Sequence, residues 1–464
     1  MRMYKPKLHF HFVGIGGIGM SGIAKILAHR GYIISGCDIA TNSADIQELK
    51  NLGCAISDHH HSDICIHESI DVYVYSSDVK KDIPEFIHAQ KKNTPIIHRS
   101  QALAYIMKPT YNIAISGSHG KTTTTGMIAH IFLCAQKDPT IVIGGHLPTI
   151  QNNALAGSGD FTIAEADESD RSFLNLPADI AILTNIDKEH MSTYHSLEDL
   201  SGTCLQFLNK ITWSGKAIVC SDNQYIQKIM PFITAPVITY GTNLDAQYQA
   251  CNIQLHTGSS TFDLYAHSKL IGSATLGVPG IHNVVNSIAA CAAALQVGIP
   301  FESIQNALAS FVSVDRRFTF KGTTAQGALI YDDYGHHPTE ILATLQVAKN
   351  KTKGKVFIAF QPQRYTRTYH LWDEFIDFFS THFADQTLIT DIYEANETPI
   401  PGIQGCKMVE AIYQKNPASP VMYLPATNNF EQICSYLKQY AHKDDLILLL
   451  GAGKINTIAC DLMK

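Results

Sequence analysis

The sequence predicts an α/β protein made of three consecutive domains, each built on a largely parallel sheet. Apolar runs of strand length alternate with helical stretches along the chain, which is typical of doubly wound sheets. Glycine-rich turns follow two of these runs, at residues 14–19 and 117–120, and such turns between a strand and a helix commonly hold phosphates. At 464 residues the chain is too long for one hydrophobic core. We expect domains at residues 1–107, 108–315 and 316–464.

The composition is that of an ordinary globular protein, and its charge argues against nucleic acid and membranes as binding partners. The 35 Lys and Arg residues against 41 Asp and Glu leave a net charge of −6, which provides no general attraction to nucleic acid or to an anionic membrane. No apolar run has the length of a membrane span, and residues 1–7 lack the pattern of a secretory signal. We therefore expect a cytoplasmic protein that binds no nucleic acid and inserts into no membrane, with an oligomeric state that stays open.

Cysteine and histidine usage indicates no dedicated metal site. The eleven Cys residues include no C-x-x-C pair, which is typical of free thiols in a reducing compartment and not of a disulfide framework or a zinc site. The histidine triplet at residues 59–61 lies in a polar turn. We expect it to be solvated, or to bind metal only adventitiously.

The first domain opens with a motif for a nucleotide diphosphate. Gly14, Gly16 and Gly19 fit the pattern G-x-G-x-x-G between an apolar strand and a helix, and Asp38 follows about twenty residues later at the end of the next strand. In such a turn the backbone and the helix N-terminus approach the diphosphate, while the carboxylate meets a ribose hydroxyl. The motif alone is compatible with NAD, with a UDP-sugar or with a purely structural turn.

The second domain opens with a shortened phosphate-binding loop. An apolar run ends at Ile115, where the usual pattern G-x-x-x-x-G-K-[ST] would place its first glycine, and this chain has Gly117 instead. Backbone N–H groups, the Lys121 ammonium and the Thr122 hydroxyl could hold the phosphates of ATP together with Mg²⁺. The alternative is an ordinary strand-to-helix turn that carries a solvated lysine.

Polar clusters follow two later strands of the second domain. Glu165, Asp167, Glu168 and Asp170 follow one strand, and the segment 184–190 follows the next. Carboxylates at the carboxyl ends of parallel strands are expected Mg²⁺ ligands, although a solvated acidic helix start is the alternative.

A helix start further along offers side chains for a base. His282, Asn283 and Asn286 begin a long apolar helix. There they could cap the helix or contact the edge of a base, and the sequence alone favours capping.

The third domain carries its polar residues in loops that follow strands. Such loops face the ligand crevice of an open α/β sheet. A loop rich in Asp and His and a loop with two Arg residues suggest a site for an anionic amino acid or a phosphate. The residues concerned are Asp332, Asp333, His336, His337, Gln363, Arg364 and Arg367, while Arg316 and Arg317 lie before them in a segment that we expect to be a domain junction.

Taken together, these motifs resemble those of the Mur ligases of peptidoglycan synthesis, and among them the members that add L-alanine. The resemblance covers nearly the whole chain and follows the family's order, at residues 14–24, 117–123, 165–170, 185–190, 282–284, 316–318, 332–338 and 364–367. It implies an ATP-dependent ligase that joins L-alanine to the lactyl carboxylate of UDP-N-acetylmuramate through an acyl phosphate. It also implies a Rossmann-like UDP-binding domain, a central P-loop ATPase-type domain and a C-terminal Rossmann-like domain for the amino acid.

The resemblance further implies roles for individual residues. The groups that hold the ATP phosphates would be Gly117, Ser118, His119, Gly120, Lys121, Thr122 and Thr123, with Thr122, Glu165 and His190 around Mg²⁺. The adenosine would lie near His282, Asn283, Asn286, Asp332 and Asp333. The UDP-sugar would contact Gly14, Gly16, Gly17, Ile18, Gly19, Asp38 and Ser76, and the amino acid would contact His337, Gln363, Arg364 and Arg367. The implied catalytic set is Lys121, Glu165, His190, Arg316, Arg317 and His337.

The sequence also departs from the family pattern, and other functions stay open. Gln363 stands where alanine-adding members commonly have His, Lys454 stands where Asp is common, and Arg99-Ser100-Gln101 replaces Arg-Ala-Glu. Gln363 leaves the choice among L-alanine, L-serine and glycine open. The alternatives are a recycling ligase that attaches a preformed tripeptide, an NAD-dependent dehydrogenase and a nucleotide sensor without turnover.

Overall fold

The computed structural model describes residues 7–60, 62–77, 79–80 and 82–464. Its strands form three sheets in chain order, with five, ten and six strands, and helices cover them, which confirms the predicted α/β class. The expectations about a signal at the N-terminus and about the histidine triplet rest partly on residues 1–6 and on His61, which lie outside the described residues.

The first sheet is parallel and has the strand order β3-β2-β1-β4-β5. Its strands are β1 (His9–Val13), β2 (Ile33–Cys37), β3 (Ala55–Ser57), β4 (Val72–Tyr75) and β5 (Ile96–His98). Its helices are α1 (Ile18–His29), α2 (Ala44–Asn51), α3 (Pro84–Lys92) and α4 (Arg99–Met107). The strand order reverses direction between β1 and β4, so the turn after β1 lies at the switch point where such sheets bind ligands.

The second sheet has ten strands in the order β15-β14-β13-β12-β11-β10-β6-β9-β7-β8. They are β6 (Tyr111–Ser116), β7 (Thr140–Leu147), β8 (Asn152–Leu155), β9 (Phe161–Glu165), β10 (Ile180–Leu183), β11 (Lys216–Cys220), β12 (Val237–Gly241), β13 (Tyr248–Leu255), β14 (Ser260–Ala266) and β15 (Lys269–Leu276). The helices are α5 (Lys121–Cys134), α6 (Leu197–Asn209), α7 (Gln224–Ile229), α8 (Ile281–Gln296) and α9 (Phe301–Ser310). β6 lies between β9 and β10 and is parallel to both, so the polar clusters after all three strands meet at one edge.

The third sheet has the order β16-β17-β21-β18-β19-β20, with only β16 antiparallel. Its strands are β16 (Thr319–Thr323), β17 (Leu329–Asp333), β18 (Val356–Phe360), β19 (Gln386–Ile389), β20 (Val421–Tyr423) and β21 (Leu446–Leu450). Its helices are α10 (Pro338–Lys351), α11 (Tyr365–His370), α12 (Trp372–Phe379), α13 (Gly405–Lys415), α14 (Thr427–Tyr440) and α15 (Ala459–Leu462).

One expectation about the third sheet was wrong. Asp332 and Asp333 belong to β17 and not to the loop that follows it, because both continue the parallel pairing of β17 with β21. Both carboxylates are consequently buried.

The three sheets are joined in two different ways. A single hydrophobic core runs from the first sheet into the second, and α1 packs against β7 and β8. The third sheet has separate cores on its two faces and meets the second through charged contacts such as Lys188 Nζ to Glu374 Oε1 at 2.6 Å. Among the described helices, none is both long and apolar enough to span a membrane.

Candidate active site

The phosphate loop lies between β6 and α5 and is braced by the segment after β10. The Asn185 side chain accepts the His119 N–H at 2.8 Å, and the Thr184 hydroxyl donates to the His119 carbonyl at 2.6 Å. Gly117 and Gly120 have φ values of +133° and +79°, which side chains with a Cβ rarely adopt. The loop is therefore preformed, with its N–H groups at the start of α5 available for an anion.

The Lys121 ammonium is held inside this loop. It donates to the carbonyls of Gly117 and Ser118 at 2.6 and 3.2 Å and pairs with Glu168 Oε1 at 2.8 Å. The Glu168 side chain is fully buried. Burial alone would lower the pKa of Lys121, but the charges of Glu168 and Asp167 outweigh it and raise the pKa. Lys121 is therefore charged at neutral pH.

Two groups of possible Mg²⁺ ligands lie at this edge of the sheet. The Thr122 hydroxyl donates to Glu165 Oε1 at 3.0 Å, and the backbone N–H of Gly144 donates to Glu165 Oε2 at 2.8 Å. In the second group, one donor atom each from Asp167, Glu168 and His190 lies within 4.8 Å of the others. The three predicted Mg²⁺ ligands therefore do not form one group. Thr122 lies beside Glu165, whereas His190 lies beside Asp167 and Glu168. Oxygen and imidazole ligands in this number fit a divalent cation.

The charge states of the two groups differ. Burial favours the neutral form of Asp167, but Arg99 and Lys121 outweigh it and bring its pKa to about 2; Arg99 Nη2 lies 2.7 Å from Asp167 Oδ2. Burial raises the pKa of Glu165, and Lys121 offsets only part of this effect. Sequence reasoning included Asp167 in an acidic cluster but did not select it as a ligand, because its approach to His190 depends on the packing of two strand ends.

A cavity of about 820 Å³ lies where the ends of the three sheets meet. A volume of this order is typical of a binding site for a sizeable ligand. The predicted residues that line it are Gly14, Gly17, Ile18, Gly19, Ser76, Ser118, Gly120, Lys121, Thr122, Glu165, His190, Arg316, Arg317, Gln363, Arg364 and Arg367. Asp167, Glu189 and His336 also line it.

Gly16 and Asp38 lie outside the described lining of this cavity and instead shape the glycine turn. Asp38 Oδ2 accepts the Gly16 N–H at 2.8 Å, and a Cβ at Gly16 would lie 2.9 Å from the same oxygen. The carbonyl of Cys37 accepts the N–H groups of Gly14 and Ile15 at 2.9 and 3.1 Å. The end of β2 thus fixes the conformation of the turn.

A second cavity, of about 410 Å³, adjoins the phosphate loop. Its lining includes the predicted residues His119, Gly120, Thr123, His282, Asn283, Asn286, Arg317 and Asp333, together with apolar Val278, Phe318 and Val347. Burial and the charge of Arg317 lower the pKa of His282 to about 4, so its ring is neutral at pH 7. Burial raises the pKa of Asp333 to about 6. The neutral His282 ring, the amides of Asn283 and Asn286 and the apolar side chains of this pocket suit a base.

Asp332 does not line either cavity among the described residues. It is fully buried, with Arg316 Nε at 3.3 Å and Lys321 Nζ at 3.9 Å. Arg316, with φ of +59°, therefore lines the larger cavity while it is anchored from behind by this carboxylate.

Arg367 crosses from the third sheet to the second. Its Nε donates to Glu189 Oε1 at 2.8 Å, and its Nη1 donates to the side-chain oxygen of Gln363. Arg364, with φ of +69°, lies near Glu397 with Nη1 3.4 Å from Oε1. Gln363 thus orients Arg367 through its amide, a contact that the sequence did not predict.

Three histidines, His119, His336 and His337, lie where the second and third sheets meet, and each has different surroundings. His337 is buried and caps α10, where Nδ1 accepts the Thr339 N–H at 3.2 Å, and it is its neighbour His336 that lines the larger cavity. His119 lies between Asp187 and Glu340, with N–O distances of 3.0 and 3.2 Å. Burial would lower the pKa of His119, but these two carboxylates raise it to about 10. A charged His119 therefore links the phosphate loop to α10.

Comparison with known proteins gives matches along the whole chain. Three family profiles match in succession: the Mur ligase family, catalytic domain, at residues 9–111; the Mur ligase middle domain at 115–294; and the Mur ligase, glutamate ligase domain, at 316–453. A UDP-N-acetylmuramate--L-alanine ligase from Syntrophus aciditrophicus is 42% identical over 465 residues, which cover 100% of this chain and 94% of the relative.

Solved structures match over the same extent. A UDP-N-acetylmuramate-alanine ligase from Thermotoga maritima has a TM-score of 0.79 and 24% identity, and a murein peptide ligase from Psychrobacter arcticus has a TM-score of 0.72 and 21% identity; each match covers 98% of both chains. At these identities the structures establish the fold, while the profiles and the close relative confirm the family that the motifs indicated. The chain belongs to the Mur ligase family.

Proposed function

We propose that this protein is an ATP-dependent ligase that joins L-alanine to the lactyl carboxylate of UDP-N-acetylmuramate in peptidoglycan precursor synthesis. The observation that carries the proposal is the cavity of about 820 Å³, which is lined from one sheet by a diphosphate-type glycine turn, from the next by a phosphate loop with carboxylates, and from the third by arginines. The 42% identical relative that is named for this reaction supports the choice of substrates.

ATP would occupy both cavities, because they share Gly120 and Arg317. The phosphates would lie on the loop beside Lys121, and the base would lie in the smaller pocket beside His282. In the structure Lys121 is paired with Glu168, so ATP binding would turn the ammonium from this carboxylate and from two carbonyls towards the phosphates. The loop would thus keep a cation in place before the substrate arrives.

Mg²⁺ would be held by Thr122 and Glu165 or by Asp167 and His190, which line the same cavity. When bound, it would offset the negative charge of the phosphates and of the attacking carboxylate. Arg99 and Lys121 keep Asp167 ionised, as a metal ligand must be.

The chemistry explains why cations line the cavity. A carboxylate is a poor electrophile, so its oxygen first attacks the γ-phosphorus of ATP, and the bond to ADP breaks to leave an acyl phosphate. The neutral amine of L-alanine then attacks the acyl carbon, loses a proton and expels inorganic phosphate. Lys121 and Arg316 would stabilise the charge on the phosphoryl oxygens, and Arg364 or Arg367 would pair with the carboxylate of L-alanine and orient its amine.

We propose domain boundaries after residues 107 and 315, where the chain passes from one sheet to the next.

The contacts between the second and third units support a further proposal, that the third unit, residues 316–464, closes over the first two. The third unit is held by polar pairs, including Arg367 with Glu189 and His119 with Glu340, and polar pairs exchange more readily than an apolar core. Closure would bring the amino-acid pocket to the acyl phosphate and exclude water.

We also propose a cytoplasmic location. All eleven Cys residues are free in the structure, and unpaired thiols are typical of a reducing compartment. ATP and a nucleotide-linked sugar are the substrates that the proposal requires.

The proposal is tested by phosphate release from ATP with purified protein, Mg²⁺ and UDP-N-acetylmuramate. We expect release that depends on L-alanine. A panel with glycine, L-serine and a preformed muropeptide tripeptide separates the two ligase activities, because faster release with the tripeptide would identify a recycling ligase. If none of these acceptors supports release, the ligase proposal fails.

A further inference from the structure

A second group of metal-ligating side chains lies in the first unit, outside the described lining of both cavities. It consists of His11 on β1, Cys37 at the end of β2, Cys65 in the loop before β4, and Glu85 at the start of α3. All four residues are at most 1% exposed. One donor atom from each lies within 4.8 Å of the other three. Four segments distant in sequence thus direct two thiols, an imidazole and a carboxylate to one point.

Two buried atoms of this group have no hydrogen-bond partner among the residues that the structure describes. Ser35 Oγ lies 2.8 Å from His11 Nδ1, which leaves Nε2 as the ring nitrogen available to the group. Within the described part of the chain, neither His11 Nε2 nor Glu85 Oε2 makes a hydrogen bond, although both are buried. A buried carboxylate oxygen and a buried ring nitrogen without partners are unfavourable, and a cation between them would satisfy both.

We propose that His11, Cys37, Cys65 and Glu85 bind one Zn²⁺ in a closed structural site. Two sulfur ligands exclude Mg²⁺ and Ca²⁺, which prefer oxygen, and a mixed set of sulfur, nitrogen and oxygen suits zinc. Four protein ligands leave no open position for a substrate, so the role is structural. Both cysteines would bind as thiolates, with their protons passed to solvent, so that the two thiolates, the Glu85 carboxylate and the Zn²⁺ ion together carry a net charge of −1.

The surroundings of the site supply the orientation that metal ligands need. Ser35 contacts both His11 and His9, with His9 Nε2 at 2.7 Å from its hydroxyl, so the His11 ring is fixed from behind. The Tyr73 hydroxyl donates to the Cys65 carbonyl at 3.0 Å, and the Ser62 hydroxyl donates to Cys65 Sγ at 3.2 Å. Outer contacts of this kind hold ligands in place and tune their affinity.

His60 provides a route to the buried cluster. Its Nδ1 lies 2.8 Å from Glu85 Oε1 and 3.5 Å from Cys37 Sγ, while its side chain is 42% exposed. The histidine triplet, expected to be solvated, thus has one member that contacts the site and also reaches solvent. His60 would pass the ion from solvent to the four buried ligands.

The site would support the glycine turn that faces the substrate. The Cys37 carbonyl accepts the N–H groups of Gly14 and Ile15, so a metal bound to the Cys37 side chain would anchor the turn. On the proposed function, zinc removal should raise the KM for UDP-N-acetylmuramate more than it lowers kcat. Metal content is measured without turnover, so a failure of the zinc site is distinguished from a failure of the ligase proposal.

The test begins with the full-length wild-type protein, purified from zinc-supplemented medium without an affinity tag that binds metal. Elemental analysis should find one equivalent of zinc per chain. After removal of zinc with a chelator, titration with Co²⁺ should produce a thiolate-to-cobalt charge-transfer band that saturates at one equivalent. The wild type alone therefore decides the question, even if a variant fails to fold.

Variants assign the ligands. Cys65→Ser should lose both the zinc and the cobalt band, whereas Cys54→Ser should keep both, because Cys54 is a buried thiol of the same unit that lies outside the cluster. Substoichiometric zinc without a cobalt band in the wild type would overturn the proposal. Zinc retention by Cys65→Ser at wild-type level, or a disulfide between Cys37 and Cys65 in freshly purified protein, would also overturn it.

Discussion

Replacement of Lys121 by Met should separate two roles of this side chain, one in stability and one in catalysis. In the structure Lys121 Nζ lies 2.8 Å from Glu168 Oε1, and the Glu168 side chain is 0% exposed. Among the described residues, the ion-pair partner left to this buried carboxylate in the variant would be His190, whose Nε2 lies 3.3 Å away. Removal of one partner of a buried ion pair costs about 3–5 kcal/mol. We expect the free energy of unfolding to fall by about 3 kcal/mol, the lower end of that range, because His190 remains.

A second substitution restores stability without restoring activity. Lys121→Met with Glu168→Gln removes both charges, so the free energy of unfolding should return to within about 1 kcal/mol of wild type. Phosphate release should stay depressed in both variants by about 100-fold to 1000-fold, the effect of losing one preorganised group that stabilises transition-state charge. UDP-N-acetylmuramate should still bind to the first unit, as isothermal titration calorimetry would show.

The assay combines urea denaturation followed by circular dichroism with phosphate release at saturating substrates. Lys407→Met is the matched control, because its ion pair with Glu410 has both side chains about half exposed and exposed ion pairs contribute little to stability. Recovery of activity in the double variant would refute the catalytic role of Lys121. A single variant as stable as wild type would refute the role of the buried pair.

Three further predictions concern the junction of the second and third units. Arg367→Lys should raise the KM for L-alanine by about tenfold or more, since lysine keeps the charge but lacks the fork that reaches Glu189 and Gln363; steady-state kinetics would measure it, and an unchanged KM would contradict it. Gln363→His should increase the ratio of kcat/KM for L-alanine over glycine, and an amino-acid panel with an unchanged ratio would contradict that. The raised pKa of His119, about 10 against an ordinary 6.5, implies stability that is complete below pH 6.5 and is lost as the pH rises towards 10. The difference in unfolding free energy between wild type and His119→Asn should therefore shrink over that interval in urea titrations, and a constant difference would contradict the role of the Asp187 and Glu340 contacts.

The order of the three units and the position of the candidate site follow from local patterns in the sequence. The turns at 14–19 and 117–120 can be recognised in the sequence because a parallel strand buried on both faces is a continuous apolar run, and the tight turn that follows such a strand needs glycine. β13 to β15 were not predicted. These antiparallel strands at the sheet edge are only partly buried, with Leu255, Leu270 and Ile271 exposed, so their periodicity is weak.

Pairings between distant residues could not be predicted. Lys121 and Glu168 are 47 residues apart, and Arg367 and Glu189 are 178 apart, so only the packing of strand ends brings each pair together. The burial of Asp333 depended on how far β17 continued along β21, which the sequence does not encode locally. The cluster around Cys37 escaped detection for the same reason, because its ligands come from four separate segments and have no short spacing.

The central claim, that the protein activates the lactyl carboxylate as an acyl phosphate for attack by L-alanine, is tested most directly with an oxygen label. UDP-N-acetylmuramate carrying ¹⁸O in both carboxylate oxygens is incubated with ATP, Mg²⁺ and L-alanine, and the released phosphate and the UDP-linked product are analysed by mass spectrometry. The proposed route predicts one ¹⁸O atom in each phosphate, one ¹⁸O retained in the new amide, and release only when L-alanine is present. Unlabelled phosphate, or phosphate release that is independent of the amino acid, would contradict it.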